Sequence, residues 1–223
     1  MLLMKESNMN RSEQISSAIN ELISSLGSKV KIIAVSKRFP IEDILFAYEA
    51  GQKDFGENRV DELVEKSKMA PQDIKWHFIG HLQSNKVNHL CEVKNLVSIH
   101  SIDSLKLLKK VLAKEKNLDL YFQLNMSAEI EKNGCSPEEL KEMIDYFNEN
   151  NKTYTLRGLM CMSGIRGENF EKEAKESFLR LKSIADNYNL ETSMGMTNDY
   201  QIAIECGSDV IRIGSKIFGP RTH

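Results

Sequence analysis

Lys37 closes the apolar run Ile32-Ile33-Ala34-Val35-Ser36 and precedes a helix opened by Pro40. That setting surrounds its stem with apolar groups and leaves its amine at a strand end. Desolvation and a neighbouring positive charge, from Arg38 or Arg212, both disfavour the ammonium form and move the amine toward the range in which it attacks a carbonyl. By position alone it is an ordinary surface lysine, so its chemistry depends on what faces it. A second set of residues lies near the other end of the chain. Ser193-Met194-Gly195-Met196-Thr197-Asn198-Asp199 reads as strand, tight turn and helix start, and Arg212-Ile213-Gly214-Ser215 ends a strand and leads into Lys216, Ile217 and Phe218. Free N–H groups at a helix start attract an anion. Gly195 and Gly214 allow close backbone approach, and Ser193, Thr197 and Ser215 supply hydroxyl donors. Singly, each turn is no more than a helix cap; together, on the last two strands, they predict a phosphate site.

An amine facing a phosphate site suggests a phosphorylated aldehyde, and pyridoxal 5′-phosphate is the common cofactor that needs both. Arg212 lies three residues before Ser215 inside an apolar strand. Pointing inward it would face the pyridine nitrogen; pointing outward it would pair with Glu205 or Asp209. An arginine there keeps the nitrogen unprotonated and weakens the ring as an electron sink, so carbanion chemistry is expected to be slow. A lysine aldolase acting on a phosphorylated sugar is the alternative that these residues leave open.

The elements that would position them follow from periodicity. Strand candidates are Val30 to Ser36, Asp54 to Glu57, Trp76 to Gly80, Leu96 to His100, Asp119 to Asn125, Thr155 to Met160, Thr192 to Met196 and Asp209 to Gly214. Each is followed by a stretch with helical spacing. The clearest helix start is Ser136-Pro137-Glu138-Glu139, a cap, a first-turn proline and a capping-box glutamate, predicting a helix to about Asn148. An amphipathic stretch from Arg11 to Leu26 precedes the first strand. Eight alternating units in 223 residues suit a (β/α)8 TIM barrel, usually about 250 residues, with an extra N-terminal helix. No linker or composition shift divides residues 1–223, so one domain is expected. In such barrels chemistry gathers where strands end, here at Lys37, Glu57-Asn58, Gly80-His81, His100-Ser101, Asn125-Met126, Met160 to Met162, Met196-Thr197 and Gly214-Ser215.

Several motifs resemble the YggS/PROSC family of pyridoxal phosphate homeostasis proteins. They are Ala34-Val35-Ser36-Lys37, Phe55-Gly56-Glu57-Asn58, His77-Phe78-Ile79-Gly80 with Leu82-Gln83-Ser84-Asn85-Lys86, Leu156-Arg157-Gly158-Leu159-Met160, Ser193-Met194-Gly195-Met196, and Arg212-Ile213-Gly214 with Ile217-Phe218-Gly219, in order between Ile33 and Arg221. The resemblance implies a barrel similar to the N-terminal domain of alanine racemase, with Lys37 holding the cofactor as an internal aldimine and Arg212 facing the pyridine nitrogen. It further implies Ser193, Gly195, Thr197, Gly214 and Ser215 around the phosphate, with Asn58 and His81 nearby. The family usually has Thr where Ser215 stands and often an aromatic residue where Arg59 stands. The role implied is to buffer pyridoxal phosphate or deliver it to apoenzymes. Racemases of this barrel type add a β domain with an acid/base tyrosine. Here the sequence runs eight residues past Ser215, so racemisation would need Tyr48, Tyr121, Tyr154 or another barrel residue.

Composition narrows the classes further. Lys and Arg total 30 against 32 Asp and Glu, a net charge of −2 without a block of like charge, which disfavours a dedicated nucleic-acid binder. Four scattered cysteines without a C-x-x-C pair suggest reduced core thiols. His77 and His81 have the four-residue spacing of a helical metal pair, but Trp76 to Gly80 reads as a strand and no Glu follows His77, which argues against a metal site. His100 and Ser101 end another strand without an identifiable triad partner, and the paired methionines read as packing around a barrel mouth. Met1-Leu2-Leu3-Met4 is too short for a signal core and no run of 18 apolar residues occurs. A cytoplasmic monomer is expected.

Overall fold

The computed structural model describes residues 2–27, 29–126, 134–163 and 167–220. Eight strands close into one all-parallel barrel in sequence order. They are β1 (Lys31–Val35), β2 (Asp54–Glu57), β3 (Lys75–Phe78), β4 (Leu96–Ile102), β5 (Asp119–Gln123), β6 (Thr155–Met160), β7 (Glu191–Met196) and β8 (Val210–Ile213). The helices are α1 (Leu2–Leu26), α2 (Ile41–Glu49), α3 (Val60–Met69), α4 (Val87–Leu90), α5 (Leu105–Leu112), α6 (Pro137–Asn150), α7 (Phe170–Asn187), α8 (Tyr200–Glu205) and α9 (Ser215–Phe218), with a 3-10 turn at Ser84–Lys86. No helix among the described residues is long and apolar enough to cross a membrane.

The alternation of short apolar runs with amphipathic segments produces this order, because a parallel strand must be followed by a crossover that covers its outer face. The spans of β2 and β6 match the sequence expectation at both ends, and most others differ by a residue or two. Ser136 caps α6 as expected: its hydroxyl accepts the Glu139 N–H, and the Glu139 carboxylate accepts the Ser136 N–H at 2.8 Å. The first helix is longer than expected, beginning at Leu2 rather than Arg11. Arg221, at the end of the family resemblance, lies outside the described residues.

Most buried apolar side chains form one shell between strands and helices, with Phe55 and Trp76 in contact at 5.9 Å between ring centroids. The barrel interior is different. Its small apolar layer is Ile33, Tyr121, Met160 and Val210, and beside it stand the buried polar residues His77, Ser98, His100, Ser193 and Arg212. Barrels are ordinarily filled by layers of branched apolar residues. Here each of these residues makes at least one hydrogen bond, which offsets the cost of burying it, although His100 Nε2 has no partner among the described residues.

One expectation is corrected here. His100 and Ser101 do not end β4; the strand continues to Ile102 across a register irregularity against β5. Both residues therefore lie inside the fold, at most 1% exposed.

Candidate functional site

Closure of the barrel brings the two ends of the sequence together. Ile33 of β1 stands opposite Arg212 of β8, and Ala34 opposite Ile213. Lys37 and Ser215 therefore leave neighbouring strands at the same carboxyl-terminal rim. The segment after Lys37 is also packed onto the segment after Ser215: the Phe39 and Phe218 rings lie 5.1 Å apart.

The turns after β6, β7 and β8 are knit by buried polar contacts. Asp199 is buried; its Oδ1 accepts the Met196 N–H at 2.6 Å, and its Oδ2 accepts the Ser163 hydroxyl. Thr197 Oγ1 accepts the Gly214 N–H at 3.2 Å, fastening the seventh turn to the eighth. Ser215 is exposed at the start of α9, and the Ser215 and Lys216 N–H groups have no acceptor among the described residues. These N–H groups and the two hydroxyls form a donor set suited to an oxyanion.

Arg212 points into the barrel, not toward Glu205 or Asp209. Its guanidinium donates to Ser193 Oγ at 2.7 Å and to the Cys161 carbonyl at 2.9 Å. Burial lowers its pKa below that of a free guanidinium, yet an arginine keeps its charge throughout the neutral range. Of its five N–H donors, two are engaged by these contacts. Ser193 Oγ, accepting from Arg212, donates its hydroxyl hydrogen bond to His100 Nδ1 at 2.9 Å. The His100 ring stacks on Tyr121 at 4.0 Å, and the Tyr121 hydroxyl donates to Glu191 at 2.8 Å. Burial, with His77 and Arg212 nearby, holds the His100 pKa well below 6.5, so this imidazole is neutral.

Two of the residues singled out in the sequence, Ser193 and Gly195, have structural contacts of their own. Ser193 is fully buried, with its hydroxyl engaged by Arg212 and His100. It lies three residues before the end of β7, where it braces Arg212. Gly195 has φ +93°, and a Cβ there would approach Ala203 Cβ to 2.5 Å. Its lack of a side chain lets α8 seat against β7.

Asn58 and His81 line a separate cavity of about 270 Å³ with Arg59 and Lys86. The exposed His81 faces Asp103 at 3.2 Å, toward β4. Asn58 is placed by backbone packing: a Cβ at Gly80 would meet its carbonyl oxygen at 2.1 Å. The structure thus gathers Lys37, Thr197, Arg212, Gly214 and Ser215 across β1, β7 and β8, and sets Asn58 and His81 to one side on β2 and β3.

Sequence reasoning missed a buried charge cluster directly behind Lys37. The Lys66 ammonium donates to the Ser36 carbonyl, Glu57 Oε1 and Glu62 Oε1, each at 2.7 Å. Ser36 Oγ also donates to Glu57 Oε1 at 2.7 Å, while Glu57 Oε2 is buried without a hydrogen-bond partner. Burial pushes the Glu57 pKa up to about 7, against the opposing pull of Lys66 and Ser36. The available signal was a glutamate directly after Phe55-Gly56 at the end of a short strand candidate, just before Asn58.

These residues fit a phosphorylated pyridine aldehyde in their chemistry: a rim amine, a buried cation with unused donors, and backbone and hydroxyl donors on the adjoining turns. The family model described as the alanine racemase N-terminal domain matches residues 11–222, which defines the class of barrel. Within that class the chain belongs to the pyridoxal phosphate homeostasis proteins. It is 38% identical over 205 residues to the protein of that name from Schizosaccharomyces pombe, covering 87% of this chain and 86% of the relative. The Homo sapiens protein of that name is 36% identical over 214 residues, covering 86% and 77%. Among solved structures, PipY of Synechococcus elongatus with PLP bound aligns with a TM-score of 0.82 at 31% identity, covering 92% of this chain and all of that one (100%). Alanine racemase from E. faecalis aligns with a TM-score of 0.75 at 14% identity, over 94% of this chain and 58% of that one. This last likeness is one of fold.

Proposed function

We propose that this protein binds pyridoxal 5′-phosphate and serves its intracellular homeostasis, holding the cofactor through Lys37 and buffering it or delivering it to apoenzymes. The observation that carries the reading is the junction of β1 with β8, which sets the Lys37 rim beside the free donors of α9 and above a buried arginine. Relatives at 36–38% identity bear the homeostasis name, and a neighbour at 31% was solved with PLP bound. When bound, pyridoxal phosphate supplies an aldehyde that an amine captures with loss of water. Lys37 provides that amine. Thr197, Ser215 and the first N–H groups of α9 donate to the phosphate, and Arg212 presents a permanent positive charge to the ring nitrogen.

The same residues make a slow racemase. Arg212 cannot give up a proton near neutrality, so it does not let the ring nitrogen gain one and draw off electrons. The tyrosines that could serve as acid or base are engaged elsewhere. Tyr48 donates to Asp73, Tyr121 to Glu191 and Tyr154 to the Val111 carbonyl. We therefore infer a carrier rather than an enzyme, acting as a cytoplasmic monomer, whose mass in solution would be that of one 25.5 kDa chain.

The test is the visible spectrum after adding pyridoxal phosphate and removing all that is unbound by desalting. Wild type becomes yellow and borohydride fixes the adduct irreversibly, whereas Lys37→Ala stays colourless. A colourless wild type overturns the reading, and amino-acid racemisation at about 1 per second or faster replaces it with an enzyme.

A further inference from the structure

We propose that Lys66 is the positioning residue for Lys37, acting with Glu57 and Glu62 as a buried clamp on the backbone either side of the cofactor lysine. The inference rests on the reading that Lys37 captures pyridoxal phosphate and adds what holds that amine in place.

The clamp grips both neighbours of Lys37. On one side, Ser36 gives its carbonyl to the Lys66 ammonium and its hydroxyl proton to Glu57 Oε1, each at 2.7 Å. On the other, the Arg38 N–H donates to Glu62 Oε1 at 2.6 Å, the same oxygen that accepts Lys66. The Ser36 N–H is held by the Gly56 carbonyl at 3.1 Å, and its carbonyl also accepts the Phe39 N–H at 3.1 Å. Lys37 thus lies between two residues that are both bonded to a single ammonium or its counter-charges. An ammonium has three donors, and the three acceptors at 2.7 Å use them all.

Two features point to positioning rather than stability. Arg38 has φ +65°, a conformation that a residue with a side chain adopts only when its surroundings enforce it. Its N–H bond to Glu62 helps supply that enforcement. Also, the charges are deeply buried, with the Lys66 side chain 8% and Glu57 0% exposed, and Glu57 Oε2 is left without a partner. An ion pair so buried is poor value for stability alone, since an apolar pair of similar volume packs as well. An apolar pair could not bind the Ser36 carbonyl and hydroxyl. The arrangement fixes one backbone path, with the amine emerging at the rim.

The experiment uses the double variant Glu57→Gln/Lys66→Met, which leaves no charge stranded in the interior. Amide exchange is followed in the apoprotein, and the rate of yellow complex formation is followed after adding pyridoxal phosphate. The variant is expected to fold, to exchange the Lys37 and Arg38 amides about tenfold faster with strand amides unchanged, and to capture the cofactor about tenfold more slowly. A folded variant with wild-type protection at these amides and a wild-type capture rate overturns the proposal. If the double variant does not fold, Glu62→Ala is read in the same two ways, because it removes the acceptor of the Arg38 N–H at the partly exposed end of the clamp. Lys37→Ala runs alongside. If it still forms a borohydride-fixed complex, the assignment of Lys37 fails; the exchange arm needs no cofactor and judges the clamp by itself.

Discussion

Glu57 is the residue whose protonation most directly reports the cluster behind Lys37. Its carboxyl is buried, accepts from Ser36 and Lys66 on one oxygen only, and has its pKa raised from 4.5 to about 7. A raised folded pKa means that the native state binds this proton more tightly than the unfolded chain does. The group's contribution is therefore full below pH 4.5 and is lost as pH rises through about 7. The histidines act in the opposite direction. His77 and His100 are buried with lowered pKa values, chiefly through desolvation, so their contribution is present above pH 6.5 and fades on acidification. Comparing wild type with Glu57→Gln isolates the carboxyl. Urea unfolding at pH 5 and pH 8 should show the wild type losing stability relative to the variant on going to the higher pH, by on the order of 3 kcal/mol at most. A difference that does not change between these pH values would remove Glu57 as a titrating group.

At the scale of elements, α1 does more than precede the barrel. Arg11 donates from Nε to Asp43 of α2 at 3.0 Å and from its guanidinium to the Phe218 carbonyl of α9 at 2.8 Å. One side chain thus ties the first helix to the second and to the short helix proposed to present the phosphate donors. Arg11→Ala leaves Asp43, 4% exposed, without this counter-ion and the last turn of α9 without its acceptor's partner. A cost of about 2–3 kcal/mol is expected, lowering Tm by roughly 5–10 °C in thermal unfolding, with weaker pyridoxal phosphate binding as α9 loosens. An unchanged Tm would show that α1 docks through its apolar face alone.

The elements themselves were largely legible, because each strand is a short apolar run bounded by turn residues and α6 carries its cap, proline and capping box in plain sequence. What escaped was long-range. The extension of β4 past His100 depends on an irregular pairing with β5. The inward turn of Ser193 follows the phase of β7, whose register with β8 shifts between Ser193 and Met196. Lys66 sits in a helix of alternating charge and reads as one more solvated lysine. Only the pairing of β1 with β2 brings Glu57 and Ser36 together above it.

Across the whole molecule the two ends of the barrel divide their roles. Charged residues open several strands at the amino-terminal face, with Lys31 near Asp54 at 3.8 Å and Arg157 bonded to Asp119 at 3.1 Å. Such pairs secure the ends of strands and carry little chemistry. At the opposite face the turns after β1, β7 and β8 converge, and Arg212 below them is braced by Ser193, His100 and the Cys161 carbonyl. A rigid cation beneath a donor-lined rim suits retention of a cofactor better than turnover on it. The account therefore stands on where pyridoxal phosphate attaches. The most direct measurement is peptide mapping by mass spectrometry after the wild-type complex is reduced with borohydride. One phosphopyridoxyl group on the peptide containing Lys37 is predicted; a dominant modification on any other lysine, with Lys37 unmodified, would contradict it.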